Sequence, residues 1–194
     1  PPQVIAHHLR LLLDTAPLPD ATYFEGVEGM WHNRWFSTHV SSAEFATCRR
    51  LTTDALSAAR DLLRRADVLV LTLGTDRCYR LPDGRLVANC HKQPAATFTE
   101  HAADVETLTS DLRCALDNLR ALRPELQVVW TVSPYRYAKY GLHASQLAKA
   151  RLLLAVDALC ATDERSVYFP AYELLLDELR DYRYYARDLL HPSD

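Results

Sequence analysis

Asp188 and His191 stand three residues apart near the end of the chain, in a run (residues 177–194) that reads DELRDYRYYARDLLHPSD. A carboxylate at this spacing can fix an imidazole in one orientation and tautomer, as a base that activates a nucleophile requires. The same run crowds Asp177, Arg180, Asp181 and Arg183 among Tyr182, Tyr184 and Tyr185, with no clean apolar stripe. These four charges are expected to form an ion-pair network that locks the final loop to the body of the protein. Taken alone, Asp-x-x-His before Pro192 also describes a helix-end histidine stopped by proline.

A second concentration is Asn89-Cys90-His91-Lys92. Asn can donate to a developing oxyanion, Lys supplies positive charge, and a thiol beside an imidazole can be activated. Adjacent residues on an extended chain face opposite ways, so Cys90 and His91 are not expected to pair with each other. A hairpin foot holding a buried cysteine is the competing reading. His32, His39 and His91 lack the spacing of metal ligands and have no acid cluster, so no metal site is expected. Five scattered glycines build neither a dinucleotide fingerprint nor a phosphate loop, and no cofactor is expected.

The elements that must position these residues follow an α/β pattern. An amphipathic helix spans residues 3–14 and ends before Pro17 and Pro19. Residues 23–40 are irregular and aromatic, with Trp31 and Trp35 able either to line a pocket or to cap a core. Ser41 and Glu44 read as a capping box opening a helix that runs to about Arg65. Val68–Leu73, a continuous apolar run halted at Gly74, predicts a strand covered on both faces. Pro82-Asp83-Gly84 predicts a hairpin within residues 79–88. A long helix over 102–122 precedes a second strand, QVVWTV, at 127–132. A helix over 144–160, a short strand at 167–169 and a last helical segment over 172–179 complete the order. Right-handed crossovers make such a sheet parallel. In open parallel sheets, ligands bind beyond the carboxyl ends of the strands. Those ends deliver Gly74-Thr75-Asp76, Ser133-Pro134-Tyr135-Arg136 and Pro170-Ala171-Tyr172-Glu173, and a returning final loop would bring Asp188 and His191 to the same edge.

Composition bounds the rest. The 194 residues suffice for one domain with a real core, and a net charge of -3 gives no electrostatic case for nucleic acid or a membrane surface. No apolar run approaches the roughly 18–20 residues that span a bilayer. Five cysteines, odd in number and without a Cys-x-x-Cys pair, predict reduced thiols and a cytoplasmic setting.

In order, the segments LVLTLGTDRCY, VANCHKQP, VVWTVSPYRY, SQLAKA and YFPAYELLLDELRDYRYYARDLLHPS resemble the GSCFA-domain family, which belongs to the SGNH (GDSL-like) hydrolase superfamily. They cover about the last two thirds of the chain. The resemblance implies a three-layer α/β/α, flavodoxin-like domain with a mostly parallel sheet. It also implies a nucleophile after the first strand, an oxyanion hole of backbone and Asn donors, and a C-terminal Asp-x-x-His base. Asp188 and His191 match that base. Gly74 and Thr75 match the superfamily's third block, but Asp76 stands where that block has an asparagine, and a carboxylate only accepts hydrogen bonds. Asn89 is the nearest replacement. The Gly-Ser-Cys-Phe-Ala stretch that names the family is absent and a further helix would be expected after Asp194, so the expectation is either a single domain incomplete at its amino terminus and also at its carboxyl terminus, or a degenerate member without a nucleophile. Further domains of a larger parent protein are an expected partner.

The function these readings imply is an acyl-ester hydrolase or acyltransferase, with an O-acylated carbohydrate or other small-molecule ester as substrate. His191 would be the base and Asp188 its orienter. Gly74 and Asn89 would bind the oxyanion, and His91, Lys92, Ser133 and Arg136 the substrate. The alternative is a non-catalytic carbohydrate-binding or interaction module that uses Trp31, Trp35, Tyr135 and Arg136.

Overall fold

A computed structural model describes residues 1–193 of the chain. The first helix, α1 (Pro2–Leu13), opens with proline at its first position, where the missing N–H costs nothing. Two short strands, β1 (Tyr23–Glu25) and β2 (Trp31–Asn33), pair antiparallel. Helix α2 (Phe45–Arg65) follows. The Ser41–Glu44 capping box does not form: the Ser41 hydroxyl instead meets His32 Nδ1 at 2.5 Å, and the Glu44 carboxylate accepts from Thr47.

The next strand, β3 (Val68–Leu73), leads to an antiparallel ribbon of β4 (Arg77–Arg80), β5 (Leu86–Val87) and β6 (Thr99–Ala102), ordered β5-β4-β6. The hairpin read at Pro82-Asp83-Gly84 is present, with Gly84 supplying the positive φ of its turn. Helix α3 (Val105–Leu122) is capped by Asp104, whose carboxylate accepts from the Thr107 N–H. It is followed by β7 (Gln127–Val132), α4 (Leu142–Cys160) and β8 (Ser166–Phe169). After Pro170 come one helical turn, α5 (Ala171–Glu173), and a π turn over Leu174–Glu178.

The main sheet is parallel, in the order β3-β7-β8, and helices flank it: this is the expected mixed α/β class with the expected sheet direction. Its register fixes which residues share a face, because side chains alternate along a strand. Leu71, Trp130 and Tyr168 are neighbours on one face, and Val70, Val129 and Val167 on the other. The first face is the core. Leu69, Leu71, Leu73, Val128, Trp130 and Val132 pack with Leu112, Leu116 and Leu119 of α3 and Leu152, Val156 and Leu159 of α4. Trp130 is completely buried, and its indole N–H donates to Ser166 Oγ. Helix α1 lies along α3, and the far end of α2 reaches the same cluster through Leu63.

The opposite face corrects one expectation. Val68, Val70, Val167 and Phe169 are 51 to 60% exposed, so β3 is not covered on both sides. β3 and β8 are edge strands, and the apolar run at 68–73 is an alternation of core and surface valine and leucine that hydrophobicity alone does not resolve.

Candidate functional site

The carboxyl edge of the parallel sheet brings together several of the candidate side chains: Asp188, His191, Ser133 and Arg136. Past β7, the Arg136 N–H donates to the Leu190 carbonyl at 3.1 Å, which ties the final loop back onto the strand end. The Ala186 and Ser193 N–H groups close that loop on the carbonyls of His191 and Tyr184. Within it, the Asp188 carboxylate accepts from the Leu190 and His191 N–H groups at 2.9 and 3.0 Å, and its second oxygen meets His191 Nδ1 at 2.5 Å. The backbone N–H groups of His191 and Leu190, with the His191 ring, hold the Asp188 carboxyl down to about 2. With Nδ1 on the carboxylate, Nε2 is the nitrogen left to take or give a proton. The imidazole lies over Tyr135, ring centroids 4.2 Å apart, and Tyr135 packs edge-on to Tyr137 at 4.6 Å.

Beneath these rings sits Lys149, almost completely buried. Its ammonium donates to the carbonyls of Gly74 and Ser133, both at 2.6 Å, and so clamps the ends of β3 and β7 together. Burial pushes it down to about 8, partly offset by the Asp76 carboxylate. A Cβ at Gly74 would stand 3.1 Å from the Tyr137 hydroxyl, a close approach for which the tyrosine would have to yield. Asp76 is wholly buried and accepts from Arg151 at 2.7 Å, while its other oxygen has no partner. The Asp76 carboxylate is therefore spent on an ion pair.

Leu142, Ser145, Gln146 and Lys149 fall at i, i+3, i+4 and i+7 of α4, one helix face. With Pro134, Tyr135, Arg136, Tyr172 and Leu176 they line a cavity of about 230 Å³ that shares Tyr135 with His191. A second cavity of about 280 Å³ lies across Arg136 and Leu176, against Arg180, Tyr182 and Tyr185. Arg136 stands between the two. Its guanidinium donates to the Tyr185 hydroxyl at 3.0 Å and rides over that ring at 4.5 Å.

Three groups of expected residues are placed otherwise. Asn89 does not join Gly74. Its side-chain oxygen accepts from the His91 N–H and its own N–H donates to Arg34, so it lines a cavity with Trp35 and Phe36. No described contact links the two proposed oxyanion donors. His91 is buried, bonded through Nε2 to the Asn33 carbonyl and packed on His32 at 4.5 Å, which makes it a core histidine and not a substrate ligand. Lys92 is exposed, in the left-handed region at φ 58, and makes no contact with the carboxyl edge. Ser133 belongs to the edge, but its hydroxyl accepts the Tyr135 N–H and its carbonyl accepts Lys149.

The C-terminal charge network also shrinks. Among the described residues only Asp181 and Arg183 pair, at 3.5 Å and on the surface, while Asp177 and Arg180 take no part. Arg136, Tyr185 and backbone bonds hold the loop instead. The binding-module residues are split as well: Trp31 and Trp35 pack around the α1–α2 cluster, apart from Tyr135 and Arg136.

Sequence reasoning missed Lys149, Tyr137 and the Asp76–Arg151 pair. The segment SQLAKA carried the only signal for Lys149, since a lysine on the inner stripe of an otherwise apolar helix needs a partner. Among the described residues there is no group of His, Cys, Asp and Glu that could hold a metal, and no helix long and apolar enough to cross a membrane.

A model of the GSCFA family matches residues 1–194, which extends the resemblance over the first third of the chain. No curated protein and no solved structure matches the sequence.

Proposed function

The chain belongs to the GSCFA family, and from that and the carboxyl-edge geometry we propose that it is the base-bearing part of an SGNH-like acyl-ester hydrolase or acyltransferase. One observation carries the reading: His191 is fixed through Nδ1 by Asp188 at 2.5 Å, on a loop docked to the end of β7. In this reading Nε2 takes the proton of an attacking hydroxyl, thiol or water and returns it to the leaving alcohol. Asp188 keeps the ring in the required tautomer and stabilises the imidazolium that forms. Among the described residues the side chains bonded to or stacked on His191 are Asp188 and Tyr135, and in this reading another group supplies the nucleophile. The substrate class is a small ester, with O-acylated carbohydrate as the leading candidate. The cytoplasmic setting proposed with it rests on the five unpaired cysteines.

The test is turnover of p-nitrophenyl acetate by the intact protein. His191→Ala is expected to lower kcat by about 10³–10⁴-fold and Asp188→Asn by about 10²–10⁴-fold. Undiminished turnover by His191→Ala would remove the assignment. The binding-module alternative draws no support from the placement of Trp31 and Trp35.

A further inference from the structure

The cavity between Arg136 and α4 has a chemistry that the hydrolase reading leaves unspecified. No acidic side chain lines it, and two cations do, Arg136 and Lys149. Arg136 is half-buried and carries five N–H donors, yet its acceptor in the fold is one phenol oxygen; no carboxylate lies within ion-pair distance among the described residues. Lys149 spends two of its three donors on Gly74 and Ser133. The wall between them is the start of α4, whose first turn has no side-chain cap and no acid, so the positive end of the helix adds to the same field. Leu142 and Leu176 supply apolar wall, and the cavity has a volume of about 230 Å³. Such a space suits a short, charged substituent.

We propose that this cavity binds an oxyanion carried by the substrate, so that the ester processed at His191 bears a carboxylate or phosphate a few atoms from the scissile bond. The inference rests on the hydrolase reading for the reaction, but its binding half is tested without it. In the intact protein, the side-chain NMR signals of Arg136 and Lys149 would be followed against succinate, inorganic phosphate and neutral succinamide. Saturation by at least one anion is expected, with Kd on the order of 1 mM, and the anion that saturates names the group. Gln146→Glu keeps the acceptor that Tyr172 uses and adds a negative charge, and is expected to weaken the anion at least about tenfold. Equal binding of succinamide, no response to either anion, or no effect of Gln146→Glu overturns the proposal.

The activity half compares kcat/KM for p-nitrophenyl acetate with that for its hydrogen succinate and phosphorylated-acyl analogues. At least about a tenfold preference for a charged ester is expected. Equal turnover of the acetate overturns this inference and leaves the hydrolase reading standing. Anion saturation without hydrolysis of any ester overturns the reading and leaves the anion site in place.

Discussion

At the scale of single residues, the site depends on groups whose charge the fold has shifted. The unfolded carboxyl titrates near about 3.9, and Asp188 in the folded loop is held at about 2. Its contribution to holding the final turn closed on Leu190 and His191 is therefore fully present above about pH 4 and is lost as pH falls towards 2. An acid titration of the Asp188 carboxyl signal should show a midpoint near 2, and Asp188→Asn should leave the loop equally mobile from pH 2 to 7. Lys149 runs the other way. Its folded value of about 8 lies below the unfolded value near about 10.4, so the unfolded chain binds the extra proton and stability from this group rises between pH 8 and 10. Urea midpoints at pH 7.5 and 10 should differ between wild type and Lys149→Met by that rise. The variant should also lose about 1–3 kcal/mol at pH 7, because the carbonyls of Gly74 and Ser133 lose their buried donor. The Asp188–His191 pair was legible from its spacing taken together with the ordered family segments, because three residues suffice to make the contact. Lys149 was not, since its partners are 75 and 16 residues away and only the fold brings them together.

Among the elements, legibility followed how local the signal is. β3 and β7 were readable to the residue because each is a continuous apolar run bounded by turn residues. β6 was not: Thr99–Ala102 is polar and lies at the edge of the ribbon, so its strand state comes from pairing with β4 and not from its own letters. The helix before β3 was placed correctly but its start was not, because Ser41 found His32 before it could cap. The two faces of β3 follow different rules. Val70 looks outward and Leu112 of α3 is fully buried beneath the inner face. Val70→Thr should change stability by less than about 0.5 kcal/mol, whereas Leu112→Ala should cost about 2–5 kcal/mol. Denaturant unfolding with an unchanged slope would check both.

For the whole molecule, the link between the parallel sheet and the antiparallel ribbon passes through Asp76. Its carbonyl accepts from the Ala103 N–H just past β6, and its carboxylate reaches back to Arg151 on α4. Because Arg151 is partly exposed, removing the pair should cost less than a fully buried one, about 1–3 kcal/mol for Asp76→Ala. The strand order β3-β7-β8 carries a further consequence, in time and not in energy. A middle strand has both of its hydrogen-bonding sides occupied, whereas each outer strand turns alternate N–H groups away from the sheet. In deuterated water, alternate amides of β3 and β8 should exchange early and the others late. Every amide along β7 should wait for global unfolding. The strand that leads into Tyr135 and Arg136 would then be the slowest clock in the protein, with the loop bearing His191 among the fastest beside it.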